Sequence, residues 1–403
     1  MEQKSLDNVF QEFIDGGNIF EDKKLLTSNY KPYEIPHREK EINTIASILG
    51  PALNGERPSN LFIYGKCGTG KTACSHFVSS RLENKAKENG GNIKLVYINC
   101  KMRKVADTEY RLLARLCKEF GKDVPSTGLP TDTLYEKFFE AIDNIERVII
   151  LILDEIDTLV EKTGDEFLYN LIRVNEDLEK SQLSIVGVSN DLSFTDNLDP
   201  RVRSSLSEEE LLFKPYNATQ LQDILEKRAL KAFDEDSLNG SVIKKCSALA
   251  AQEHGDARRA LDLLRVAGEL AERGSADEVD ERHVDLAESK IDKDRIVETI
   301  KTQPRQSQAV LWSIIKLSED GHEEIQTGDI WDIYKDVSEN SGLKTLTQRR
   351  ISDLISELDL LGVINTNVVS KGRYGRTRII ELAISNKVSN DVKDILESEY
   401  YFE

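Results

Sequence analysis

The chain has 403 residues, 39% of them hydrophobic and 31% charged, a balance that suits two or three folded domains and excludes a disordered polymer. No apolar run reaches the roughly 18 residues that span a bilayer, Met1–Asp7 lacks the pattern of a secretory leader, and the five scattered cysteines form no CxxC pair, so the composition points to a reducing cytoplasm. A formal net charge of −18 excludes a surface attractive to nucleic acid everywhere, but charges are screened beyond about 10 Å, so a local basic patch keeps its effect.

The first residues read as a short polar arm, followed by a weakly structured leader through Ile35-Pro36-His37-Arg38-Glu39. Apolar residues then recur at helical spacing from Glu39 to Leu53. Leu61–Tyr64, Leu95–Ile98, Val148–Leu153 and Ile185–Val188 are short, continuously apolar runs, with a fifth candidate at Glu210–Phe213. Strands apolar throughout are buried on both faces, which predicts a parallel sheet covered by helices on each side. Thr219 to Lys290 is helical in pattern and predicts a helical lid. Pro304 opens a further unit with helices near 306–318, 327–338 and 346–361, then a hairpin with arms Val363–Thr366 and Arg378–Leu382, which describes a winged helix. The expected division is an arm at 1–16, an α/β core at 17–214, a lid at 215–299 and a winged-helix domain with a tail at 300–403. The acidic stretch from Asn386 onward reads equally as an added helix or as a tail.

Gly65-Lys66-Cys67-Gly68-Thr69-Gly70-Lys71-Thr72 follows a strand and opens a helix that continues through Ala73. This matches the phosphate loop G-x-x-x-x-G-K-[ST], in which the glycines let successive backbone N–H groups and a helix N-terminus face phosphate. Lys71 is then expected on the β- and γ-phosphates, and Thr72 on Mg²⁺. Asp154-Glu155-Ile156-Asp157 ends the most apolar strand. Asp154 suits the Mg²⁺ shell and Glu155 the orientation of an attacking water, while Asp157 reads as structural. Asn190 ends the next strand, where a neutral amide either meets the γ-phosphate or forms a turn. Arg258, in Gly255-Asp256-Ala257-Arg258, either reaches back to the γ-phosphate from the lid or makes a surface ion pair.

Taken together these motifs resemble the AAA+ ATPases, and more narrowly the archaeal replication initiators related to the Orc and Cdc proteins of eukaryotes. Ile35–Glu39, Arg57–Asn60, the phosphate loop, Leu198–Leu206 and Gly255–Asp262 carry the resemblance, which runs from about Leu25 to Ser385. It implies an AAA+ core, lid and C-terminal winged helix that bind ATP or ADP with Mg²⁺ and hydrolyse ATP slowly, as a switch. Asn190 becomes the first sensor and Arg258 the second. Pro36, His37, Arg38, Tyr216 and Arg228 join the residues expected around the nucleotide. The implied partners are duplex origin DNA, the replicative MCM helicase and other initiator paralogues, with no membrane. In one departure, the Ser-Arg pair that carries a trans-acting arginine finger in eukaryotic relatives reads Ser204-Ser205 here, with Arg201 and Arg203 nearby.

Three segments are candidates for DNA. The hairpin tip, Ser370–Arg378, holds Lys371, Arg373, Arg376 and Arg378 with Tyr374 and no acid, which suits a wing tracking phosphate or entering the minor groove. Thr347, Gln348, Arg349 and Arg350 open the helix before it, where recognition helices face the major groove. The stretch Lys101–Thr133, with Thr127 and Gly128 between prolines, resembles the initiator-specific insertion, although it reads also as a solvated amphipathic helix. Origin recognition with helicase loading is the expected function. Its alternatives are a signalling NTPase of the STAND type, which predicts a bland wing, and a clamp loader, which has no use for one.

Overall fold

The four apolar runs and the fifth candidate pair side by side in one parallel sheet of order β2-β3-β4-β1-β5. The strands are β1 (Leu61–Tyr64), β2 (Ile93–Asn99), β3 (Arg147–Asp154), β4 (Ser181–Ser189) and β5 (Glu209–Leu212). The computed structural model describes residues 19–27, 30, 32–101, 108–125, 127–322, 324–370, 376–384 and 386–400. Ile149, Leu151 and Leu153 of β3 enter one core beneath the sheet, while Val148, Ile150 and Ile152 enter another above it. Burial on both faces is why the run carries no polar alternation.

Helix α1 (Glu39–Leu49) is shorter than its periodicity predicts and passes into a 3₁₀ turn over Gly50–Asn54. Pro51 has no N–H to continue the α-helical ladder, which ends it there. Helix α2 (Lys71–Glu88) follows the phosphate loop. Helices α3 (Glu109–Glu119) and α4 (Thr131–Ile142) pack through Leu112, Leu116, Leu134 and Phe138 into the lower core. Helices α5 (Ile156–Thr163), α6 (Glu166–Arg173) and α7 (Pro200–Leu206) complete that layer. The Arg57–Asn60 stretch is a fastener: Arg57 Nε donates to Leu183 O at 3.0 Å and Asn60 Nδ2 to Ser205 O at 2.8 Å, while Asn60 Oδ1 accepts from Ile185 N at 2.8 Å.

The lid is built from α8 (Ala218–Ala232), α9 (Gly240–Gln252) and α10 (Ala257–Arg273). The leader is more ordered than its composition suggests, and residues 19–27 belong to the lid. Asp234 N donates to Ile19 O at 3.2 Å, Arg228 Nη1 donates to Leu25 O at 2.7 Å, and Phe20 packs on Phe233 with centroids 4.7 Å apart. The same ring lies over Gly268, where an added Cβ would stand 2.3 Å from it.

The chain divides into two compact units, Met1–Val284 and Asp285–Glu403, the division falling within helix α11 (Glu281–Thr302). In the second, α12 (Arg305–Glu319), α13 (Thr327–Asn340) and α14 (Gln348–Leu360) pack around buried Trp312, Tyr334 and Leu354. Strands β7 (Ile364–Ser370) and β8 (Arg376–Leu382) form the antiparallel wing, and β6 (Ile325–Gln326) pairs with β8. The acidic C-terminal stretch is helix α15 (Asn386–Tyr400), whose Val392 and Leu396 enter this core.

Candidate nucleotide site and nucleic-acid interface

β1 ends in the phosphate loop, with β4 between β1 and β3, so the loop, Asp154 and Asn190 all emerge at the carboxyl edge of the sheet. This is where open α/β sheets bind ligands. Gly68 has φ +68°, and a Cβ there would fall 1.6 Å from Asp256 Oδ1, so the lid approaches the loop as closely as a missing side chain permits. Asp256 caps α10, accepting from the backbone N–H groups of Arg258 at 2.7 Å and Arg259 at 3.2 Å. Ala257 N donates to Gly68 O at 3.2 Å.

Lys71 is buried, and its Nζ donates to Gly65 O at 2.6 Å and to Lys66 O at 2.8 Å. Burial lowers the amine to about 8, opposed by Cys67 and Asp154. Asp154 is also buried: its Oδ2 accepts from Thr72 Oγ1 at 2.9 Å and from Tyr97 Oη at 2.6 Å, and its Oδ1 from Glu155 N at 3.0 Å. Burial, then the bond to Asp154, pushes the Tyr97 phenol well above its ordinary range, so Tyr97 remains a neutral donor. A hydroxyl and a carboxylate at this distance form the oxygen-only, partly negative donor set that Mg²⁺ prefers. Tyr97, with His76 against its ring at 4.1 Å between centroids, escaped sequence reasoning. Only the register of β2 on β3, Tyr97 opposite Ile152, brings it to Asp154.

Glu155 takes φ +56° at the start of α5, and Lys101 Nζ lies 3.5 Å from its carboxylate. Asp157 accepts from Ser189 Oγ at 2.8 Å and so ties down the end of β4 beside Asn190.

One cavity of 1690 Å³ gathers these groups. Gly68, Thr69, Gly70, Lys71, Thr72 and Ala73 line it, with Asp154, Glu155 and Asn190 from the other strand ends, and Tyr216, Arg228 and Arg258 from the lid side. Pro36 lines it as well. Gly65, Lys66 and Cys67, the first residues of the loop, do not line the cavity: Cys67 Sγ is 3.8 Å from Arg258 Nη1, and Lys66 Nζ is 3.4 Å from His254 Nδ1. Arg228 spreads over Tyr30, 4.4 Å from its centroid. His37 and Arg38 do not line the cavity. The φ of +61° at His37 turns its ring to the lid, where Nε2 meets Asp223 at 2.9 Å, and Arg38 is buried against Tyr216.

Arg201 pairs with Asp199 at 3.0 Å and Arg203 with Asp196 at 3.2 Å, both on the surface.

In the second unit, Thr347, Gln348, Arg349 and Arg350 are all exposed at the start of α14. Arg350 is shared between Asp353 at 3.6 Å and Glu357 at 3.5 Å. Arg378 turns inward, donating to Ser352 O at 3.3 Å and Ser356 Oγ at 2.9 Å, and so fastens the wing to α14. The backbone of Arg376 pairs with Ser370, and Lys371, Arg373 and Tyr374 lie outside the described residues. In the first unit, Thr127 and Gly128 are exposed between α3 and α4, beside Pro125, whose carbonyl accepts from Tyr110 Oη at 2.8 Å. Among the described residues no helix is long and apolar enough to cross a membrane.

Three family models match in chain order: an AAA domain over residues 55–193, a Cdc6 AAA+ ATPase-type lid domain over 222–289, and a CDC6 C-terminal winged helix domain over 298–392. An ORC1-type DNA replication protein 1 of Methanosarcina mazei is 52% identical over 396 residues, covering 98% of this chain and 94% of the relative. An ORC1-type DNA replication protein of Thermococcus onnurineus is 50% identical over 395 residues, 97% of this chain and 94% of the relative. Among solved structures, the Aeropyrum pernix ORC1 protein in complex with DNA aligns with a TM-score of 0.84 at 44% identity, over 96% of this chain and 98% of that one.

Proposed function

Since the chain belongs to the family of ORC1-type DNA replication proteins, with the AAA+ ATPase fold and winged helix of that family, we propose that it binds duplex DNA at replication origins, is switched by ATP and ADP, and recruits the replicative MCM helicase, alone or with initiator paralogues. The carrying observation is that Arg258 of the lid lines the same cavity as Lys71, Thr72, Asp154 and Asn190 of the core. A nucleotide held there touches both bodies, so its state biases how they close.

In this reading Lys71 gives up its two carbonyl acceptors for the β- and γ-phosphates, and the loop N–H groups and the start of α2 supply the remaining donors. Thr72 and Asp154 would hold Mg²⁺, which neutralises charge between the phosphates. Glu155 orients the attacking water, and Asn190 and Arg258 sense the γ-phosphate from opposite sides. The Lys101–Glu155 contact competes with water activation, which supports slow turnover and a switching role. Pro36, Tyr216 and Arg228 suit the base and ribose end.

On DNA, Thr347, Gln348 and Arg349 offer base and phosphate contacts from the first turn of α14, and Arg350 joins them on leaving its carboxylates. Lys371, Arg373, Tyr374 and Arg376 would supply the wing's contacts to the duplex, while Arg378 acts by fastening β8 to α14. Thr127 and Gly128 offer a backbone approach from the ATPase core.

The test is footprinting on the organism's own genomic DNA with ATP and with ADP, using the parent chain and the double variant Arg373→Glu/Arg376→Glu. Discrete protected sites that the double variant loses are expected. Equal protection of every duplex would remove origin recognition, and undiminished binding by the variant would reduce the wing to a packing module.

A further inference from the structure

Arg38 lies in the motif expected at the nucleotide, yet its guanidinium points elsewhere. Its side chain is 4% exposed, and Nε donates to Thr69 O, inside the phosphate loop, at 2.9 Å. Nη2 donates to Lys214 O at 2.5 Å, and Nη1 to Glu41 at 2.8 Å. The plane stacks on Tyr216, 4.0 Å from its centroid, with Phe213 at 5.3 Å.

Residues 213–217 connect β5 to α8. They are tied at one end to the sheet, Phe213 N to Tyr64 O at 2.8 Å, and at the other to the lid, Tyr216 N to Gly255 O at 3.3 Å. One rigid cation therefore joins the loop that meets phosphate to the middle of the peptide on which the lid turns. Next to it, His37 Nε2 reaches Asp223 of α8 at 2.9 Å.

We propose that Arg38 is a positioning residue, the joint through which occupancy of the phosphate loop is transmitted to the lid. The inference rests on the nucleotide reading above. Lys71 Nζ donates to the carbonyls of Gly65 and Lys66. When phosphate takes the ammonium, those carbonyls are released and the loop relaxes around the new ligand. Thr69 sits between them and Lys71, so its own carbonyl moves with the loop. A guanidinium presents its donors in a fixed planar fork, so it follows one acceptor only by dragging the other. The shift at Thr69 is thus delivered to Lys214 and, through the stacked ring, to Tyr216 and Gly255. Glu41 balances the buried charge, which leaves Arg38 free of any duty to neutralise phosphate.

The test is hydrogen–deuterium exchange on the full chain with and without ADP. In the parent, ADP should slow exchange in α2 and in lid helices α8 and α10. In Arg38→Ala, slowing in α2 should persist while slowing in the lid falls at least fivefold. Equal slowing in both places would overturn the joint. So would a general rise in exchange with the ratio of the two responses unchanged, since that is the mark of a merely structural residue. If Arg38→Ala fails to fold, Arg38→Lys decides, because one ammonium has no planar fork to span both carbonyls or to stack on the ring. A full lid response in Arg38→Lys would refute the proposal. A parent chain with no response to ADP would refute the nucleotide reading itself, and the joint with it.

Discussion

Raising the pH from 7.5 to 9 tests Lys71, because phosphate groups, with second pKa values near 6, have finished titrating below that window. Burial holds the amine of the empty site at about 8. A bound polyphosphate requires the ammonium and raises its pKa past the window, so binding takes up a proton wherever the empty site has lost one. At pH 7.5 about a quarter of the empty sites are neutral, and at pH 9 about nine in ten. Affinity for ADP should therefore fall about eightfold, a loss of about 1.2 kcal/mol. Titration calorimetry at pH 8.5 in two buffers of different ionisation heat should register uptake of about three-quarters of a proton per ADP. Lys71→Arg carries a fixed charge and should flatten the profile, whatever it does to the absolute affinity. The stability of the nucleotide-free chain has the opposite slope: from about 8 up to the ordinary lysine value of 10.5 the unfolded chain holds a proton that the folded one has shed, so stability rises with pH there. A constant affinity across the window, or an equal slope in Lys71→Arg, would refute the assignment of Lys71 to the phosphates.

Two further outcomes follow from geometry. Gly255→Ala places a Cβ 2.2 Å from Tyr216 O at φ +67°, whereas Gly55→Ala, at φ +79°, meets nothing within 4 Å; by thermal melting the first should cost about 3 kcal/mol and the second about 1, and equal losses would contradict the described packing of the hinge on the lid. Arg349→Ala should flatten the dependence of log K on log salt by about 0.9 for each phosphate that the guanidinium neutralises, while Arg378→Ala should weaken duplex binding with its salt slope unchanged, a result that a reduced slope in Arg378→Ala would reverse.

Much of this architecture is readable from residues alone, for identifiable reasons. Ile149 to Leu153 face two cores in turn, and a run apolar at every position cannot be a half-exposed strand. The phosphate loop is readable because a backbone cradle needs its glycines at fixed spacing. Side-chain direction is less accessible. The Pro36–Arg38 stretch does reach the nucleotide cavity through Pro36, but a positive φ at His37 sends the next two side chains to the lid and the hinge. Tyr97 is hidden for another reason, since its partnership with Asp154 exists only through strand register. The C-terminal helix admits two readings in sequence because Val392 and Leu396 are sparse among acids, and their packing partners lie on a helix far earlier in the chain: Trp312 Nε1 donates to Glu397 across a separation of 85 residues.

The lid is discontinuous along the chain. Residues 19–27 form one piece of it, and their partners are far away: Leu25 and Arg228 are separated by 203 residues, and Ile19 and Ser237 by 218. During synthesis the ribosome delivers this first piece and then the whole ATPase core before any surface exists for Phe20 to occupy. The lid therefore closes late, and a nascent chain stalled before α8 carries Ile19, Phe20 and Leu26 without the lid helices that cover them. Removing residues 19–27 from the finished protein would likewise injure the lid, although Leu25 and its partner Arg228 stand 203 residues apart in sequence.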